Sequence, residues 1–401
     1  MLPTLCNRLL LLGVLLLPFY AAAQTGSEDF NPNQDFNPIL VAVPIINIAP
    51  DARSSGMGDI GVATSPDVYS QHWNAAKYPF AKSQLGFGLS ITPWLATLVK
   101  DVQINYGSLY YRFDDRQSIS TSIRYFSIGK MDIMSNEGHF ITNVAPNEFS
   151  IDLAYARRFG YHISAALTGR YIRSDLTGGL LSAGGGGTSE VISPANAFSV
   201  DMAVYYQNDH DDNSYAWGIT MTNLGTKVTY IKENSEKYFL PATLHVGGQY
   251  TFNVDADNSV MLGLELSKLL VPTPPVRDAD GQITRGKNPS VGIIESWVQS
   301  FYDAPYGWKE ELSEIIVGGG AEYVYRGLFS ARMGYYHDSK RKGNRRYLTF
   351  GAGIKYNFMG LDISYLYPFT TTDPLSNTLR ISLLFDFNLQ YQRSSDENRY
   401  R

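Results

Sequence analysis

His337, Asp338 and Ser339 are three consecutive residues of the types that make a base, its orienting group and a nucleophile. They close a strand-length segment, however, and neighbours on a strand point to opposite faces, so the three cannot converge as a triad. No catalytic residue is expected. Asp209, Asp211 and Asn213 have the alternate-residue spacing that opens a calcium loop, but the glycine and distant glutamate of such a loop are missing. They read as a solvated turn, and no metal site or cofactor is expected. A net charge of −5 with no basic stripe interleaved with aromatics gives no support for nucleic-acid binding. The charges that do form a pattern are Arg124, Asp152, Arg170 and Asp201, one on each of four successive strand-length segments. If Phe149, Ile151, Leu153 and Tyr155 face an apolar surroundings, Asp152 points the other way, and the same count turns the other three with it. The expectation is a ladder in which neighbouring charges neutralise one another, as a polar constriction or as a brace for the wall.

The elements that would position these residues are strands. Arg8, the apolar run 9–19 and the small residues Ala21, Ala22 and Ala23 have the form of a secretory signal peptide, expected to span 1–23 and to be cleaved before Gln24. Cys6 lies within it, so thiol chemistry leaves with the leader. From 83 to 387 the polarity alternates in fourteen segments: 83–93, 102–114, 117–129, 146–160, 162–175, 195–207, 214–224, 240–253, 258–268, 313–326, 328–338, 345–357, 359–368 and 377–387. Each is long enough for a tilted strand to cross a bilayer, and the count is even, as in single-chain bacterial barrels. Connection length alternates too. The turns at 115–116, 161, 208–213, 254–257, 327 and 358 are short, and those between them are generally longer, up to the stretch 269–312. A sandwich or propeller has no reason to sort loops by parity. The expected fold is all-β, a transmembrane antiparallel barrel of about 14 strands in the cell outer membrane, with long connections outside and both termini periplasmic. In the last strand Leu379, Ile381, Leu383, Phe385 and Phe387 would meet lipid while Arg380, Ser382 and Asp386 turn inward, because charge at mid-depth costs about 2 to 4 kcal/mol. Residues 388–401 would be a polar periplasmic tail.

Residues 24–82 do not read as strands and are expected to form a plug-like or periplasmic segment ahead of the barrel at 83–387. Its run from Asp51 to Thr64, with Arg53, Gly56, Met57, Gly58 and Gly61, followed by Gln71, His72, Trp73, Asn74, Ala75 and Ala76, resembles the amino-terminal signature of FadL-like outer-membrane barrels. The usual Asn-Pro-Ala of that superfamily is Asn74, Ala75, Ala76 here. Further stretches, 37–44, 90–95, 124–129 and 171–179, resemble the PorV family, barrels of the type IX secretion system of Bacteroidota. The resemblance implies a non-enzymatic component of type IX secretion that receives substrates by their C-terminal signal domains. Its implied partners are the large translocon barrel, a surface sortase or attachment complex, and outer-membrane lipid. It also implies that the terminal strand ending at Phe387 is read by the barrel-assembly machinery.

Two other functions stay open on the residues. A FadL-like transporter of hydrophobic compounds would need an apolar lumenal path and a break between strands, and a lipopolysaccharide deacylase would need a rim nucleophile. Glycines 56, 58 and 61 permit close backbone approach, which suits a segment that fills or gates a lumen. The connection 269–312 is too long to be an unstructured link. Within its Pro289 to Tyr302 stretch, Ile293, Ile294, Trp297 and Phe301 have helical apolar spacing and need a surface, either the rim or a partner protein. Leu180 and Leu181, before the glycines 184–187, mark a second loop with apolar content.

Overall fold

The computed structural model describes residues 36–94, 101–134, 139–176, 193–210, 213–230, 237–369 and 378–388. The leader, Leu180, Leu181, the glycine run, Asp211 and the tail beyond 388 lie outside them. Strands β1 (Leu85–Pro93), β2 (Gln103–Arg112), β3 (Gln117–Ser127), β6 (Asn147–Phe159), β7 (Ile163–Asp175), β8 (Ala195–His210), β9 (Asn213–Gly225), β10 (Thr243–Asn253) and β11 (Asn258–Leu269) form the wall in chain order. It is completed by β14 (Ile316–Tyr325), β15 (Phe329–His337), β16 (Arg346–Tyr356), β17 (Met359–Pro368) and β18 (Leu379–Phe387). All pairs are antiparallel, and β18 closes the barrel on β1 with Ser90 opposite Ser382. These fourteen strands are the fourteen alternating segments of the sequence. Among the described residues no helix is long and apolar enough to cross a membrane.

The boundaries differ where local chemistry intervenes. β10 starts at Thr243 rather than at 240, since Pro241 has no N–H for the ladder. β14 starts at Ile316, because Trp308–Ser313 coils into a helix. The long connections carry structure of their own: a hairpin of β4 (Met131–Met134) and β5 (Phe140–Val144), and a second of β12 (Val276–Arg277) and β13 (Ile283–Arg285). Among the described residues there are four short α-helices, α1 (Ala52–Ser55), α2 (Ser70–Trp73), α3 (Ile293–Gln299) and α4 (Trp308–Ser313), and two 3-10 turns at Pro44–Asn47 and Ala75–Phe80.

The wall is inverted relative to a soluble protein. Ile151, Leu153 and Tyr155 are exposed while Asp152 between them is buried, and Leu379, Ile381 and Leu383 are exposed while Arg380 and Ser382 are buried. Only a hydrocarbon surround makes that alternation favourable. The core is the lumen, where residues 42–81 lie. Ala42, Val43, Ile45 and Ile46 pack with Ile104, Ile172, Ala195, Ala197, Val228 and Leu240 at the end with long connections. Val68, Tyr69, Ala75, Ala76 and Tyr78 pack with Tyr110, Ala156, Ala166, Tyr205 and Ala216 towards the end with short turns. The segment therefore runs down the lumen before β1 begins. Ala42 donates its N–H to Phe239 O (2.8 Å) at the long-connection end, whereas β18 finishes at the short-turn end.

Candidate functional site

The motif from Asp51 to Gly61 is built as a clasp on the inner wall. Asp51 caps α1, accepting from Ser54 N (2.8 Å), and its other oxygen accepts from Trp73 Nε1 (2.7 Å). Burial, reinforced by nearby Asp67, pushes its carboxyl up to about 6. Arg53, the next polar residue, forks onto Glu322 of β14 (3.1 and 2.9 Å) and reaches Asp67 (2.8 Å). Glu322 is shared with Arg332 (2.7 Å), which in turn holds Asp362 (2.6 Å), so cation and anion alternate across β14, β15 and β17. Glu265 accepts from the backbone of Gly61 (2.8 Å) and Val62 (3.0 Å). Asn74 bridges Val62 O (3.0 Å) and Val204 O (3.1 Å), and buried Lys77 donates to Gly61 O (2.7 Å). Burial holds the Lys77 ammonium down at about 8.

Glycine makes the close approach possible. Gly58 has φ +77° and lies so near β15 that a Cβ would stand 2.6 Å from Tyr335 O. Across from it a Cβ on Gly334 would stand 2.1 Å from Gly58 N, and one on Gly320 2.3 Å from Met57 O. Backbone meets backbone there, and Thr349 accepts from Gly58 N (2.8 Å).

The expected charge ladder is present in three of its four members. Arg170 donates to Asp152 (2.7 Å) and Asp201 (2.8 Å), and also holds Asn223. All are buried. Arg124 is buried too but does not join them. It is taken by Ile45 O (2.6 Å), Ile48 O (3.0 Å) and His72 Nδ1 (2.9 Å), while Ser122 occupies the near side of Asp152 (2.9 Å). The reason is register: Arg124 stands opposite Ser150, one inward place away from Asp152, and the segment's carbonyls are closer. Burial and the Arg124 charge hold the His72 imidazole well below its usual range, so its Nδ1 accepts from Arg124. Glu265, Glu322, Arg332 and Asp362 were not singled out from the sequence. Counting inward positions on their strands would have found them, but not their partner Arg53.

The connection after β11 folds onto the outside of the wall at its long-connection end. Trp297 packs against Leu224, Ala242 and Leu270, and Pro289 leads into α3 half-buried. The apolar residues of α3 do not share one face. Ile293 and Trp297 turn to the barrel, while Ile294, Val298, Phe301 and Tyr302 are exposed. A buried ionic cluster secures the loop: Lys268 with Glu311 (3.2 Å) and Glu314, and Lys342 with Glu310 (2.7 Å) and Glu314 (2.9 Å). At the rim Asp338 is held by Arg345 (3.2 Å) and His337 Nδ1 lies 3.2 Å from Tyr335 OH, so neither addresses Ser339. Asp209 accepts from Gln207 and lies on β8, which runs to His210, and Asn213 opens β9, so neither stands in the turn expected at 208–213.

A family model described as "Type IX secretion system protein PorV" matches residues 31–276. No curated protein matches the chain. Similar solved structures include the toluene transporter TbuX of Ralstonia pickettii, at 12% identity and TM-score 0.46, covering 84% of this chain and 98% of that one. Another is the toluene transporter TodX of Pseudomonas putida, at 10% and 0.48, covering 88% and 98%. A FadL homologue of Pseudomonas aeruginosa aligns at 9% and 0.45, covering 88% and 100%. Likeness at this level carries no argument about ligand. The family match spans more than half of the chain and takes in the Asp51–Gly61 motif, the Arg170 cluster and strands β1 to β11, and on it the chain belongs to the PorV family of the type IX secretion system.

Proposed function

We propose that the protein is a non-enzymatic outer-membrane component of type IX secretion that receives substrates by their C-terminal signal domains and passes them from the translocon barrel to the surface attachment complex. One observation carries the reading beyond family membership. The lumen is occupied by residues 42–81, ion-paired into the wall through Arg53, while unburied apolar residues gather on α3 and the turn after it. A barrel filled in this way offers a surface rather than a conduit. The segment acts as its plug, and Val298, Phe301 and Tyr302 supply the docking face for the translocon or a substrate. The test is to replace Val298 and Phe301 by serine in the native cell. Secretion and surface attachment should fail while the barrel stays inserted and heat-modifiable. Normal secretion, with the translocon still copurifying, would sink the proposal.

Transport of hydrophobic compounds is the second reading. It needs an apolar route, yet a cavity in the lumen beside Arg170 is about 20 Å³, lined partly by Asn47, His72, Asn223 and His245. That is room for a single water among polar groups. Among the described residues the one register shift between barrel strands, at Val200 and Met202, is bridged by Asn223 N donating to Asp201 (2.7 Å).

A further inference from the structure

On the membrane face of the wall, the long-connection ends of β8 and β9 and the start of α3 border an open apolar crevice of about 590 Å³. Its apolar walls are Phe198, Val200, Leu224, Ile293, Ile294 and Trp297, and Glu295 is the one charged residue that lines it. Phe198 and Val200 alternate with buried Ser199 and Asp201, and exposed Met202 continues their row. The floor is therefore the upper edge of the lipid-facing band, and the crevice is continuous with the membrane contact of the barrel. Gly292 also lines it, and a Cβ there would meet nothing within 4 Å, so the space is unfilled by protein.

A cation stands beside the crevice, and two more lie along the connection that carries α3. Lys227, next to the lining Thr226, donates to Val291 O (2.7 Å) and sits 4.1 Å from the Phe239 ring. Lys287 lies 3.7 Å from the ring of Tyr302, and Arg285 5.5 Å from that of Tyr306. Cations paired with amphipathic rings suit an anionic interface. We propose that the crevice holds an acyl chain of an anionic membrane lipid, with the headgroup beside Lys227 and the α3 loop clamped over the chain. Within a bilayer no hydrophobic gain attracts the chain, so retention comes from packing against Trp297 and from the charge above. The proposal does not rest on the secretion reading, whose docking residues Val298 and Phe301 do not line the crevice.

The protein is placed in vesicles containing phosphatidylglycerol brominated near the chain ends, and tryptophan quenching is compared with that of Trp297→Phe to isolate the Trp297 signal. Trp297 should be quenched more by the anionic lipid than by brominated phosphatidylcholine. Gly292→Leu, which fills the crevice without a clash, should lose that quenching while heat-modifiability is unchanged. Equal quenching in the native protein and Gly292→Leu, or a Trp297 shielded from both lipids, would overturn the proposal. So would quenching that vanishes whenever a partner protein is bound, since a protein would then be the occupant.

Discussion

Arg170 stands between two carboxylates, and its loss would leave Asp152 and Asp201 facing one another without a cation. Stranding a desolvated partner costs about 3 to 5 kcal/mol, falling towards 0 to 1 kcal/mol where water reaches the pair. Arg170→Ala should therefore lower the unfolding midpoint of the purified barrel more than Asp152→Ala, with the double variant less than additive. Simple additivity in urea titrations would mean the pair is solvated. At this scale alternation was enough to turn all four ladder residues inward. It could not say that Arg124 would be claimed by the carbonyls of Ile45 and Ile48, because those contacts join residues 76 or more positions apart.

The lumenal segment is held to the wall by backbone contact, and side chains on the wall decide whether it fits. Gly334→Ala drives a methyl into Gly58 N, whereas Gly169→Ala on the membrane face meets nothing within 4 Å. The first should open residues 42–81 to limited proteolysis and the second should not; equal protection in both would place the segment elsewhere. The α3 loop carries its own pH dependence. Asp303 is buried beside Glu314 and Glu311, which with desolvation raises its carboxyl to about 6, while Thr273 N still donates to it (3.1 Å). A carboxyl raised in the folded loop favours folding below its unfolded value near 4, and that contribution is lost as pH rises through 6. The expected difference is on the order of 1 to 3 kcal/mol. Protease protection of the loop should fall between pH 4 and 6.5, and Asp303→Asn should flatten that profile; an unchanged profile would assign the dependence to another group.

For the whole molecule, the course of residues 42–81 puts the start of the described barrel unit at the end with long connections. Leu40 is 68% exposed there, and Asp115 is exposed in a short turn at the other end. If long connections face the cell exterior, a membrane-impermeant maleimide should label Leu40→Cys in intact cells and leave Asp115→Cys unlabelled until the outer membrane is opened. The reverse pattern would invert the orientation.

Alternation, segment length and loop parity determined the barrel, its fourteen strands and which side of each strand meets lipid, because these depend on nearest neighbours along the chain and on the surrounding solvent. The family was legible as well, in the Asp51–Thr64 motif and the stretches after it. Only the tertiary structure decided that Arg53 meets Glu322, that glycines 58, 320 and 334 stack backbone on backbone, and that α3 divides its apolar residues between barrel and surroundings. These contacts form when a non-strand segment enters a closed lumen, and no local periodicity encodes where it will lie. Helical spacing marked Ile293, Ile294, Trp297 and Phe301 as apolar, but the side chains that find a wall to bury against are selected by the packing of the closed barrel.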